Sequence, residues 1–163
     1  SENQGQSFQL YGDLKSKEFP LMENTCVEVE HGHIIMLMRA EGCKFLYRSE
    51  SHDYGHTWTV AQPCEIPSAN SKMVLKKYKN KIFLIHNACQ GKQMTERTNL
   101  SLWISEDGMN TWNLKIPLIE KDVVMFYPHA TIDEKGMLYI ACENSKQSYC
   151  LRIETDKLED RKL

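Results

Sequence analysis

Seven polar residues of this chain have side chains suited to gripping or transforming a small polar molecule: Arg39, Asn70, His86, Asn87, Arg97, Tyr127 and His129. A guanidinium can hold a carboxylate through two parallel hydrogen bonds. A phenol can act as nucleophile or ligand contact, and an imidazole exchanges protons near neutral pH. Tyr127 and His86 are therefore the candidates for chemistry. Arg97, Arg39, Asn70, Asn87 and His129 are the candidates for binding. Each also has a structural reading. Arg97 can pair with Glu96 or Glu143, Arg39 can bridge two neighbouring units, Tyr127 can pack within a strand, and the histidines can line a solvated channel.

A sequence repeat positions these residues. Ser51-His-Asp53-Tyr-Gly55-His-Thr57-Trp58 recurs as Ser105-Glu-Asp107-Gly-Met109-Asn-Thr111-Trp112, with Ser, Asp, Thr and Trp each displaced by the same 54 residues. In such a turn the Asp side chain accepts backbone N–H bonds, glycine takes a positive φ, and tryptophan packs between sheets. The motif is structural, and its two carboxylates correspond by repetition rather than as a catalytic pair. The second copy has its glycine one place early, at Gly108, with Met109 opposite Gly55, which predicts a different turn type there.

Between the motifs lie short segments rich in β-branched and aromatic residues, without sustained 3.6-residue periodicity. They predict strands over 26–30, 33–40, 45–49 and 58–66; over 72–78, 81–87, 100–105 and 112–119; and over 127–132, 137–143 and 149–154, with no evident twelfth. Residues 8–14 are expected to add a strand to a neighbouring unit. Four strands per unit and an in-register turn motif predict an all-β fold of the β-propeller type, with blades at about 24–66, 70–119 and 126–163 within one domain. Natural propellers have roughly four to eight blades. The missing ones are expected from the rest of the protein or from a second copy. If the motif joins third and fourth strands at one end, second strands finish and first strands begin at the other. Arg39, Asn70, His86, Arg97, Tyr127 and His129 are therefore expected on one concave face, away from Trp58 and Trp112.

Composition narrows the partners. A net charge of -2 with interspersed signs gives no electrostatic footprint for nucleic acid or an anionic membrane. No apolar run approaches the ~20 residues of a membrane span. The first residues lack the basic and apolar regions of a secretory signal, and location stays open, a secreted or periplasmic one being slightly favoured. Six cysteines show no CxxC pair and no zinc-type spacing, so neither metal nor cofactor is implied. They read mostly as buried apolar side chains, with Cys142 and Cys150, flanking a hairpin turn, as the candidate disulfide. Asn99-Leu-Ser101 is an acceptor sequon.

The pattern Ser-x-Asp-x-Gly-x-Thr-Trp at residues 51–58 resembles the Asp box, or BNR repeat, of sialidases. The resemblance runs from about residue 20 to 154 and looks like the C-terminal half of a sialidase-like propeller, about three blades of a six-bladed ring. Glu96-Arg97 leading into Leu100–Ser105 resembles the stretch holding an arginine of the carboxylate-gripping triad. Phe126-Tyr127-Pro128 resembles the stretch of the tyrosine nucleophile. Where those enzymes place a glutamate that activates the tyrosine this chain has Asn70, and where they place another triad arginine it has His86-Asn87. The resemblance implies an exo-glycosidase acting on a terminal acidic sugar, since a tyrosine nucleophile avoids the repulsion between a carboxylate and an anionic substrate. The remaining arginine and the acid would lie in N-terminal blades. The alternative is a non-catalytic propeller binding a glycan or a protein.

Overall fold

The computed structural model describes residues 1 and 3–161. Its strands are β1 (Leu21–Glu30), β2 (His33–Ala40), β3 (Phe45–Ser51), β4 (Gln62–Pro67), β5 (Val74–Tyr78), β6 (Lys81–Asn87), β7 (Leu100–Ser105), β8 (Leu114–Pro117), β9 (Phe126–Ile132), β10 (Met137–Glu143) and β11 (Ser148–Glu154). Two 3₁₀ segments, Met94–Glu96 and Thr155–Arg161, are the helical elements among the described residues. The strands form antiparallel sheets in the orders β1-β2-β3-β4, β5-β6-β7-β8 and β9-β10-β11. The first strands adjoin one another, β1 against β5 and β5 against β9. These are propeller blades, with the first strand of each innermost.

The blades are held by two apolar layers. Val27, Ile35, Leu37, Leu46, Met73, Leu75, Ile82, Leu84, Trp103 and Met109 fill the space between the first and second blades. Phe83, Ile85, Leu100, Leu102, Ile104, Leu138, Ile140 and Cys142 fill that between the second and third. Successive residues of β6 alternate between the layers, which is why Lys81–Asn87 is nearly continuously apolar. Removing the Leu84 side chain, which is wholly buried, would cost about 2–5 kcal/mol.

Both box turns follow the third strand of their blade. Ser51 Oγ donates to Asp53 Oδ1 at 2.8 Å, and Asp53 accepts from Thr57 N at 2.8 Å and Thr57 Oγ1 at 2.6 Å. Ser105, Asp107 and Thr111 repeat the pattern at 2.8, 2.9 and 2.6 Å. The expected difference in turn type is absent. Met109 adopts φ 68° where Gly55 has 88°, and its side chain is buried between blades, which offsets the steric cost of the left-handed conformation. The Arg48 Nη1 donates to the Met109 carbonyl at 2.9 Å, tying the two rims together.

Four other expectations need correction. Residues 8–14 form no strand. Tyr11 instead packs on His56 with ring centroids 4.7 Å apart, and Gly12 passes so close to Trp58 that a Cβ would lie 2.7 Å from the indole. Residues 58–61 and 112–113 belong to the turns, so β4 and β8 are shorter than foreseen. Cys142 and Cys150 are free thiols: the register pairs Cys142 with Tyr149 and Cys150 with Ala141, so the two point to opposite faces. Of the six cysteines only Cys142 is buried. Asn99 of the sequon is half-buried, and its amide donates to the Ala88 carbonyl at 2.9 Å.

The bonds from Thr57 and Thr111 hold the Asp53 and Asp107 carboxyls at about 2, below the ordinary aspartate range. A depressed carboxylate stabilises the fold above its unfolded value, and that stabilisation disappears as pH falls through about 2. Asp53→Asn is therefore expected to lower the thermal midpoint at pH 7, with the gap to the parent narrowing as pH falls from about 4 toward 2. Calorimetry across that range checks it.

Candidate functional site

The end of the blades opposite the boxes has an unusual backbone. Glu23 (φ 48°), the third residue of β1, Asn70 (55°), four residues before β5, and Tyr127 (53°), the second residue of β9, are left-handed non-glycine residues. Such a conformation costs ~1–2 kcal/mol, least for asparagine, and strain of this kind gathers at functional sites. The pairing of β1 with β2 shifts register between Met22 and Thr25, and that of β9 with β10 between Ala141 and Glu143.

Asn70 is the hub. Arg39 Nε donates to its side-chain oxygen at 2.9 Å, and Arg97 Nη2 donates to its backbone carbonyl at 2.8 Å. Its amide nitrogen reaches Glu41 at 3.2 Å and the Lys92 carbonyl at 3.4 Å. Arg39, buried on the face turned toward the second blade, also pairs with Glu23 at 2.8 Å and with Glu41. Burial works to lower its pKa, but the hydrogen bond and charge of Glu23, then Glu41, hold it above the ordinary value. Its ion pairs lie within its own blade, and its bond to Asn70 crosses to the next. Glu41 was not anticipated; its position two residues beyond Arg39 was the available signal.

Arg97 is differently placed. Its guanidinium lies 5.0 Å from the Tyr127 ring centroid and 5.4 Å from that of Phe126. It has no carboxylate partner among the described residues, and its buried Nε has no hydrogen-bond partner. Glu96, considered as its mate, spends its carboxylate on the backbone N–H groups of Lys92 and Gln93 at 2.6 and 2.9 Å. The Arg97 carbonyl accepts from Met125 N at 3.0 Å, and Asn87 Nδ2 donates to the carbonyls of Met125 at 2.7 Å and Thr98 at 2.9 Å. Asn87 thereby joins the segment between Arg97 and β7 to the residue that precedes β9, the strand bearing Tyr127. The Tyr127 hydroxyl has no hydrogen-bond partner among the described residues.

The structure thus brings together Arg39, Asn70, Arg97 and Tyr127, with Asn87 bracing them from behind. His129 stands at the edge, exposed, its Nε2 2.6 Å from Lys72 Nζ. His86 is not part of the group. Its parity with Ile82 and Leu84 turns it inward between the first two blades, 2% exposed, with its ring edge-on to Trp103 at 4.6 Å. Neither ring nitrogen has a hydrogen-bond partner. Burial first, then repulsion from Lys115, pushes its pKa down to about 3; the Pro67 backbone is near enough to oppose this, though not in hydrogen-bond geometry. A ring so enclosed does not exchange protons with a ligand, which corrects its assignment to catalysis.

The buried side-chain polar atoms without partners, among the described residues, are Ser71 Oγ, Asn87 Oδ1, Arg97 Nε and both nitrogens of His86. All belong to residues at or beside this end of the blades. Each such atom costs about 1–3 kcal/mol when it is left without a partner. A cleft of about 410 Å³ lined by Leu102, Ile116, Leu118, Ile153 and Leu158 lies elsewhere and contains none of these groups.

The fold is that of blades of a sialidase-like propeller. Residues 15–140 match the BNR repeat-like domain, and the chain belongs to that family. A variant of the NanB sialidase from Streptococcus pneumoniae superposes with a TM-score of 0.79 at 16% identity, over 96% of this chain and 27% of that one. A Hadza microbial sialidase gives 0.77 at 18% identity, over 96% and 31%. A thermostable family-43 glycoside hydrolase gives 0.64 at 16% identity, over 90% and 52%. At these identities the likeness is one of fold, and the chain spans about a quarter to a third of the length of the two sialidases. A search of curated protein sequences finds no match.

His86 supplies a test of this packing. Its folded pKa of about 3 lies below the ordinary value near 6.5, so between those values the unfolded chain binds the extra proton. Stability is therefore full above about pH 6.5 and declines as pH falls toward 3. His86→Gln, which cannot take up that proton, is expected to show a flatter decline between about pH 6.5 and 4. Urea unfolding of both proteins over that range measures the difference.

Proposed function

We propose that the protein is a sialidase-like exo-glycosidase acting on terminal acidic sugars of glycans. Arg97 receives the sugar carboxylate, and Tyr127 supplies the nucleophilic oxygen. The observation that carries this reading is Arg97: a guanidinium with a partnerless buried nitrogen and no carboxylate, stacked beside a phenol that has no hydrogen-bond partner. Arg39, saturated by Glu23, Glu41 and Asn70, frames the site rather than offering a second open clamp. Asn70 and Asn87 position the two arginine-bearing segments, and His129 borders the entrance. Attack by the Tyr127 oxygen on the anomeric carbon, with the phenol proton passing to solvent water, would expel the glycosidic oxygen, which takes its proton from an acid on another blade. Water would then release the sugar from the tyrosine.

One observation favours the second reading, a propeller that binds such a sugar without cleaving it. The side chain at position 70 is an amide committed to Arg39 and Glu41, and it cannot accept the phenol's proton. Hydrolysis of a fluorogenic sialoside by the full-length protein, with binding measured in parallel, separates the two. The enzyme reading expects turnover in the parent that falls by roughly 10³-fold or more in Tyr127→Phe. It also expects a fall in kcat/KM of about 30-fold or more in Arg97→Ala, the loss of one buried charge-assisted contact. Binding without turnover, lost in Arg97→Ala, assigns the second reading. Absence of both overturns the proposal.

A further inference from the structure

Far from Arg97, at the rim beside the first box, three metal-ligating side chains meet. His33 opens β2, Glu50 is the next-to-last residue of β3, and His52 is the second residue of the box. The pairing of Ile34 with Ser51 sets His33 across from His52, and their rings stack with centroids 4.1 Å apart at 28°. Glu50 Oε2 lies 2.8 Å from His33 Nε2 and 3.9 Å from His52 Nε2. The three donor atoms lie within 4.8 Å of one another. Ligand atoms about 2.0–2.2 Å from a tetrahedral ion stand roughly 3.3–3.6 Å apart. The two carboxylate spacings bracket that range, so small side-chain rotations bring all three atoms onto one ion.

The surroundings fit the same purpose. Arg48 Nε donates to the other carboxylate oxygen, Glu50 Oε1, at 2.9 Å, and fixes its orientation as an outer-shell partner does. Arg48 is itself anchored to the Met109 carbonyl of the second box. An open recess of about 250 Å³, lined by Glu50, His52, Asp53, Thr57, Trp58 and Thr59, adjoins the cluster and gives water access to a remaining coordination position. Two imidazoles and one carboxylate suit zinc or a neighbouring transition ion; calcium and magnesium prefer all-oxygen cages.

We propose that His33, Glu50 and His52 form a binding site for a divalent transition-metal ion, zinc foremost, which clips β2, β3 and the first box together at the rim. The ion stabilises the first blade and takes no part in sugar chemistry, so the proposal stands independently of the function assigned above.

The test uses the full chain after treatment with a chelator. Titration calorimetry with zinc chloride is expected to give one ion per chain, and zinc but not magnesium is expected to raise the thermal midpoint by several degrees. His52→Ala is the decisive variant, because that side chain is 66% exposed and its removal leaves the core intact. It is expected to weaken zinc binding by about 10-fold or more and to abolish the thermal shift, while leaving the midpoint in chelator unchanged. His33→Ala is expected to do the same to zinc binding. Failure of the parent to bind zinc overturns the proposal. So does binding that persists undiminished in both variants, which would place the ion on the exposed thiols of Cys26 or Cys150.

Discussion

Strand β6 is buried along both faces, and the rest of the structure is organised around that fact. A blade can hide its apolar residues only against another blade. Leu84 therefore packs toward the first blade and Phe83 toward the third, and the innermost strands of all three are drawn side by side. Stacking in this way leaves two ends where chain reversals collect. One end is closed by the Asp53 and Asp107 turns, whose hydrogen bonds are satisfied internally. The other carries the partnerless buried polar atoms, together with left-handed Glu23, Asn70 and Tyr127.

Much of this was legible in the sequence because the physics is local. The second strands at 33–40, 81–87 and 137–143 show apolar runs bounded by turn residues, and the box repeat fixed the blade period. The topological argument from the boxes also located the polar end, bringing Arg39, Asn70, Arg97 and Tyr127 together. What was not legible depends on contacts across blades. Residues 8–14 read as strand by composition, yet Gly12 must pass beneath Trp58, a constraint no local pattern announces. Met109 tolerates a glycine's conformation because its side chain is buried between blades. His86 was an avoidable error, since its period-two relation to Ile82 and Leu84 already placed it inside.

The polar end itself divides between two arginines with different work. Arg39 is closed off by two carboxylates and an amide and serves to hold the first blade against the second. Arg97 is held at only one nitrogen, by the Asn70 carbonyl, while aromatic rings cover part of its guanidinium. A guanidinium partly shielded from water and not neutralised gains from an incoming anion. That asymmetry is why the proposed reading gives the sugar to Arg97 and not to Arg39, and Asn70 contacts both.

A crystal structure of the full-length protein with bound sialic acid tests this division most directly. The account predicts the sugar carboxylate on the Arg97 guanidinium, within about 3 Å of its nitrogens, with the ring above Tyr127 and the Arg39 contacts to Glu23 and Glu41 intact. A sugar bound elsewhere, with Arg97 still held only by the Asn70 carbonyl, would contradict it.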